Sequence, residues 1–333
     1  MVRQKPVFLY KYLGLKRNHL QKNVKRLFYL SWEDALWDIL EKKQVIKNSI
    51  VLVPEFFCGD VEENIRNHGY RIRYYPVNSR LTTSPKQLII SIKKYNPKVL
   101  VILHPIGITN QLFSSHYWAK YLDINTILIE DCVHKIVDPS KLKFIKKNHF
   151  IIDSLRKVVP LQGSSLYGKI DDLDFKSPPF YQSIFYSIKV HYLWLLMNFF
   201  WFFKITNKAR KTMKTGYDLI GDSKKPATGF FLFAFIQKFI NIDKIKTIKE
   251  TQVEFYEKNI KTNIPYSAND KSELMAYPIR LPLISTPPSP FDFELNDSKW
   301  SKKQKIIYLP LGPYLNNQDL QKIVEFFNKK KLL

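Results

Sequence analysis

Short apolar runs alternate with amphipathic stretches over the first 150 residues, the pattern of βα units built around a largely parallel sheet. Residues 31–43 (SWEDALWDILEKK) place Ala35, Leu36, Ile39 and Leu40 at helical spacing behind Ser31, a suitable N-cap. The run SIVLV (49–53) predicts a buried strand stopped by Pro54. Asp60 to His68 then predicts a helix closed by Gly69. Residues 70–77 alternate as a strand does, and Pro85 to Tyr95 as a helix. KVLVILH (98–104), NTILIED (125–131) and HFIIDS (149–154) predict three more strands, with a helix over 116–122 between the first two. Those strands end in His104, Asp131 and Ser154. Open α/β sheets hold their ligands at the carboxyl ends of strands, so these three polar residues mark a candidate site.

Beyond about residue 170 the pattern changes. Residues 176–240 are aromatic-rich and broken by a polar stretch at 220–228. Within them Tyr192 to Phe203 (YLWLLMNFFWFF) is intensely apolar, but its 12 residues fall short of the roughly 20 that span a bilayer. The run reads as a helix that is buried or covered by a partner, with a membrane-surface patch as the alternative. Residues 243–262 predict a charged amphipathic helix. Pro278, Pro282, Pro287, Pro288 and Pro290 exclude helix from the segment that carries them. A strand over 306–311 and a helix over 317–327 finish the chain. The expected division is a large unit, 1–240, and a small one, 241–333.

Composition and charge narrow the function classes. The 333 residues carry a formal net charge of +24. It comes from dispersed lysines (Lys42, Lys43, Lys93, Lys94, Lys146, Lys147, Lys224, Lys225) rather than an arginine-rich block. Such a distribution reads as a solvated surface, with attraction to an anionic partner (a nucleotide-linked substrate, an acidic glycan or an anionic membrane face) as the alternative. No helix-turn-helix, RNP or zinc-finger pattern appears, which argues against a nucleic-acid partner. Cys58 and Cys132 make no disulfide framework and no CxxC pair, and no third ligand accompanies Asp131 and His134 at metal-site spacing, so no metal is expected. The N-terminus lacks both an apolar run and a small-residue cleavage site. A reducing cytoplasm is the expected location.

Five segments together resemble the sugar aminotransferases of the DegT/DnrJ/EryC1/StrS family. They are LVPEFFCGDVEENIRNHGYRIRYYPV, VILHPIGI (101–108), LIEDCVHKI (128–136), DSLRKVVPLQGSSLYG (153–168) and YLPLGPYLNNQDLQKIVEFF, in the family's order and spacing. The resemblance covers nearly the whole chain. It implies the α/β fold type I of pyridoxal-phosphate (PLP) enzymes, like that of aspartate aminotransferase, with a mostly parallel sheet flanked by helices and a reduced C-terminal domain. It also implies transfer of an amino group from an amino-acid donor to a keto-sugar nucleotide in surface-polysaccharide or amino-sugar biosynthesis, by a homodimer.

By the same resemblance, Lys157 is the amine that forms a Schiff base with the cofactor, and Asp131, 26 positions earlier, is the carboxylate that keeps the pyridine nitrogen protonated. His134 would contact the ring hydroxyl and Ser154 would donate to the phosphate. Gly107 would allow close backbone approach, and Phe56 or Phe57 would cover the ring. The start of the first helix departs from the family. Where a glycine–threonine/serine–alanine turn receives the cofactor phosphate, this chain has Trp32, Glu33 and Asp34, and two carboxylates near a phosphate repel it. That departure motivates the alternative reading, a catalytically degenerate PLP-fold protein serving as a binding or assembly component.

Overall fold

The computed structural model describes residues 11–15, 18–159, 161–203, 205–221, 225–260, 270–280 and 299–329. In chain order the elements are β1 (Val24–Tyr29), α1 (Trp32–Lys42), β2 (Ile50–Pro54), α2 (Gly59–Asn67), β3 (Arg71–Tyr75), α3 (Pro85–Tyr95), β4 (Val99–Leu103), β5 (Ile127–Cys132), β6 (His149–Asp153), α4 (Leu155–Val158), β7 (Ser164–Lys169), α5 (Ile184–Phe202), α6 (Thr206–Gly221), α7 (Phe231–Ile236), α8 (Ile242–Asn259), β8 (Ala276–Arg280), α9 (Lys299–Gln304), β9 (Ile306–Pro310) and α10 (Asn317–Lys329). Seven strands form one mixed sheet in the order β1-β7-β6-β5-β4-β2-β3. The five from β3 to β6 run parallel, and β7 lies antiparallel between β6 and β1.

Both faces of β2, β4, β5 and β6 are buried, which is why they read as apolar runs, whereas the edge strand β3 exposes Arg71, Arg73 and Tyr74. Val51, Val53, Val99, Val101, Ile127 and Ile129 point to one face, against Ala35, Leu36 and Ile39 of α1. Leu52, Leu100, Ile102 and Leu128 point to the other, where Leu88 and Ile92 of α3 meet Tyr256, Tyr277 and Tyr308 from the C-terminal part. Each such Leu or Ile, fully buried, contributes about 1.5–3 kcal/mol. The period-2 alternation puts Asp131 on the α1 face with Ile127 and Ile129, and Glu130 on the opposite face.

Local signals set the helix ends. Ser31 caps α1 by accepting from the Asp34 N–H at 3.1 Å. Pro85 opens α3 and Asn96 closes it in the left-handed conformation. β8 and β9 pair antiparallel in a separate two-stranded sheet. Pro278 stands inside β8; the other four prolines of that stretch lie outside the described residues.

Three sequence expectations need correction. The helix expected at 116–122 is a 3-10 turn, His116–Tyr121. The strands β1 and β7 had no counterpart in the apolar pattern. The apolar run at 192–203 lies in α5 as far as Phe202, but the outer side of that helix is exposed rather than buried within the chain. Tyr192, Leu195, Phe199, Phe202 and Phe203 are all more than half exposed, because α5 packs on α6 through its opposite side.

Candidate functional site

The carboxyl ends of β4, β5 and β6, the start of α1 and the single turn α4 converge on Lys157 and Asp131. Asp131 is the penultimate residue of β5 and has its side chain buried, accepting from the Val133 N–H at 3.1 Å. Burial pushes its carboxyl up to about 7. Glu33 adds to the rise, while the Val133 N–H, the Trp32 indole and the charge of Lys157 pull the other way. Trp32 is itself buried. Its indole N–H approaches the Asp131 carboxyl closely enough to act on it, but short of a well-formed hydrogen bond.

Lys157 sits in α4, the turn that follows β6, and is half-buried. Burial of its amine, aided by neighbouring Arg156, brings the pKa down to about 7, against the opposing pull of Glu33 and Asp60. His134 is buried, and its Nδ1 accepts from the Ile106 N–H at 3.3 Å, which leaves the ring proton on Nε2. Burial and Lys157 together lower its pKa to about 3, so the imidazole is neutral. Lys157, Asp131, His134 and Glu33 thus lie within electrostatic reach of one another.

The remaining candidates separate. Phe57 meets Trp32 edge to face, with centroids 6.1 Å apart, whereas Phe56 packs on Trp300 in the other core. Of the two, Phe57 is the ring beside the site. Gly107 has φ +91°, and a Cβ there would stand 2.1 Å from the Glu273 carbonyl oxygen and 3.0 Å from that of His134. Backbone crowding within the protein therefore demands this glycine. Ser154 is buried and lines a cavity of about 340 Å³ together with Arg26, Lys135, Asp153, Tyr167 and Gln237. His104, the third strand-end residue, turns to the far face of the sheet.

There it joins a cluster absent from the sequence reading. His104 Nε2 lies 2.9 Å from one oxygen of Glu130 and His149 Nε2 3.2 Å from the other, with Cys132 Sγ 3.8 Å from the first. His104, Glu130 and Cys132 are close enough together to suit a metal ion. The hydrogen bonding opposes one. Asn110 N–H donates to His104 Nδ1 at 3.0 Å, and Ile145 N–H to His149 Nδ1 at 3.1 Å. Both rings therefore carry their proton on Nε2, facing Glu130, and offer no lone pair there. The cluster is a carboxylate held well below its usual range by two imidazoles. It ties β4, β5 and β6 together one residue from Asp131.

Asp34, one of the two acids at the phosphate turn, is likewise occupied. Its carboxylate accepts from the Ala227 N–H at 3.0 Å and from Ser31 Oγ at 2.6 Å. Of these two acids, Glu33 is the one whose charge reaches both Lys157 and Asp131.

No protein-family model matches the chain, and no curated protein matches its sequence. Solved structures do match. A putative sugar aminotransferase from Streptococcus pneumoniae, in its PMP form, superposes with a TM-score of 0.57 at 14% identity, over 92% of this chain and 87% of that one. DesI, solved with its TDP-sugar product, gives 0.55 at 12% identity over 91% and 80%. A DegT/DnrJ/EryC1/StrS aminotransferase from Brucella abortus gives 0.54 at 15% identity over 92% and 85%. The chain has the fold type I architecture of PLP-dependent aminotransferases.

Proposed function

We propose that this protein is a PLP-dependent aminotransferase acting on a nucleotide-linked keto-sugar, with an amino acid as donor. The observation that carries the proposal is the pairing of a lysine amine and a buried carboxyl, both brought to about 7, at the strand ends of this fold. Both groups suit the ring of the cofactor. When bound, PLP supplies an electron sink that the protein itself lacks. Asp131 would face the pyridine nitrogen, whose positive charge would replace Lys157 as counter-ion to a carboxylate now held up by burial. The Lys157 amine is neutral in a large share of molecules at physiological pH, so it can attach to the cofactor aldehyde and afterwards take up and return a proton at Nζ. His134 presents an Nε2–H suited to the ring oxygen, and Phe57 a face for the ring.

At the phosphate end the fit rests on the main chain. The N–H groups of Trp32 and Glu33, in the first turn of α1, have no acceptor within the helix, and the helix dipole favours an anion there. Ser154 belongs to the same proposal, but faces the 340 Å³ cavity. That cavity begins two residues before Lys157, and Arg26, Lys135 and Lys238 line it. Three cations suit the diphosphate of a nucleotide sugar. DesI, of similar fold, was solved with a TDP-sugar product, which supports the same substrate class. Residues 241–333 would form the reduced small domain and a second copy would complete a homodimer, as implied by the family resemblance.

One observation favours a second reading. The buried Trp32 indole already approaches Asp131, and Glu33 lies near Lys157, as if the chain filled its own site. Addition of glutamate to the PLP-loaded protein decides between the two. Aminotransfer converts the yellow form to one absorbing at shorter wavelength, and a spectrum unmoved by any amino donor sinks it.

A further inference from the structure

The α5 helix, apolar on nearly every side, leaves one apolar side uncovered. Phe185, Ile188, Tyr192, Leu195, Phe199 and Phe202 are 85%, 57%, 61%, 67%, 54% and 58% exposed. Their spacing alternates three and four, so at 100° per residue they form one stripe about 100° wide. Val190 and Met197, which are buried, lie on the opposite side, toward α6. The stripe does not end with α5. On one flank His191 touches Phe230 and Phe233, with ring centroids 6.2 Å and 5.0 Å away. Beyond them α7 exposes Phe231, Leu232 and Phe235 at 72%, 42% and 54%. An apolar surface of this extent on a folded chain marks a place of attachment.

Charge identifies what it attaches to. Residues 175–217 and 223–242, which hold the whole surface, contain no Asp or Glu. On the other flank Lys189 is exposed beside the stripe, and the Lys208 ammonium sits 5.8 Å from the centre of the Phe200 ring. Exposed Lys211 and Lys214 continue along α6. A second copy bound face to face would bring the same cations together around the seam, in a chain of net charge +24. Among the described residues no helix is long and apolar enough to cross a membrane, so α5 cannot span one. We propose that the α5–α7 face seats the protein on an anionic lipid bilayer. Its aromatic stripe would lie among the acyl chains at the interface and its flanking lysines would reach the phosphate headgroups. The proposal is independent of any cofactor.

Vesicle co-sedimentation of the full chain tests it, using phosphatidylcholine vesicles with and without phosphatidylglycerol. The protein is expected to pellet with the anionic vesicles, and its partitioning should fall several-fold as salt is raised. Leu195→Glu with Phe199→Glu, both at exposed positions, should weaken partitioning by about tenfold or more while the thermal melt stays that of the wild type. Phe231→Ser with Phe235→Ser on α7 gives an independent second variant with the same expectation. Three results overturn the proposal: wild-type protein left in the supernatant with anionic vesicles at low salt, undiminished pelleting of both double variants, or a wild-type dimer in sedimentation velocity that the α5 substitutions convert to monomer.

Discussion

The charge of Lys157 reaches the buried carboxyl of Asp131, and burial still leaves both groups titrating at about 7. Neither is where water would put it, so each destabilises the fold over a definite pH range. For Asp131 the folded value lies above the 3.8 of a free aspartate. Between the two the folded chain holds the extra proton, so stability falls as pH rises from about 4 to about 7, with the full penalty above that. Asp131→Asn keeps an acceptor for the Val133 N–H and removes the charge. It should raise unfolding free energy by roughly 2–4 kcal/mol above pH 7 and by little near pH 4, as urea melts will show.

Lys157 has the opposite dependence. Its folded value lies below the 10.5 of a free lysine, so the unfolded chain holds the extra proton between about 7 and 10.5. Stability should therefore rise with pH across that window, and the penalty is complete below it. Lys157→Met should stabilise the cofactor-free protein by roughly 1–3 kcal/mol at pH 6, with the gain vanishing above pH 10.5. A variant less stable than the wild type at pH 6 would show that the amine is not buried at cost.

Glu33 should oppose the cofactor phosphate. Glu33→Gln removes a carboxylate from the first turn of α1 while leaving the backbone donors in place, and should tighten PLP binding by about tenfold in a spectroscopic titration. If Glu33 already points away when PLP is bound, the titration will be unchanged. Trp32→Ala is the harsher companion. It should cost about 3–5 kcal/mol as a truncated core residue, and under the self-filled reading it should also be the variant that first admits cofactor.

Gly107→Ala should be among the most damaging small substitutions in the chain. The added Cβ meets the Glu273 carbonyl at 2.1 Å, and the backbone at φ +91° strains any L side chain. A loss of about 3 kcal/mol or more is expected from denaturant melts, with no cofactor present. A loss below about 1 kcal/mol would mean that the loop yields.

The His104–Glu130–His149 cluster should be indifferent to metal and sensitive to charge. Chelator should leave the Tm unchanged. Glu130→Gln should lower it, because a carboxamide turns one N–H donor toward a histidine N–H and leaves both buried, at about 1–3 kcal/mol. A chelator-induced drop in Tm would mean that at least one ring carries its proton on Nδ1 instead.

The sequence disclosed the central strands because β2 and β4 are buried on both faces, so Val51–Val53 and Val99–Leu103 are apolar throughout; the edge strand β3 showed instead as an alternation of exposed and buried positions. The strands β1 and β7 were hidden by polar residues whose partners are distant. Lys25 Nζ donates to the Leu173 carbonyl at 2.8 Å, Ser165 N–H to Asp153 Oδ1 at 2.6 Å, and Ser164 Oγ to the Asp153 carbonyl. Nothing local in VKRLFY or SSLYGK signals those bonds. The proximity of Lys157 and Asp131, which the order of motifs led one to expect, is seen in the mutual reach of their charges. The approach of Trp32 and Glu33 to these two groups was not legible, because it depends on which way two side chains turn at one helix start. Nor was the exposure of α5, since a helix apolar on nearly every side has no pattern to say which side meets water.

Borohydride reduction of the PLP-treated protein, followed by peptide mass analysis, tests the central claim most directly. The account predicts one phosphopyridoxyl adduct, on the peptide containing Lys157, weakened in Asp131→Asn and absent in Lys157→Ala. An unmodified Lys157 peptide, or label spread over the surface lysines and equal in Lys157→Ala, would contradict it.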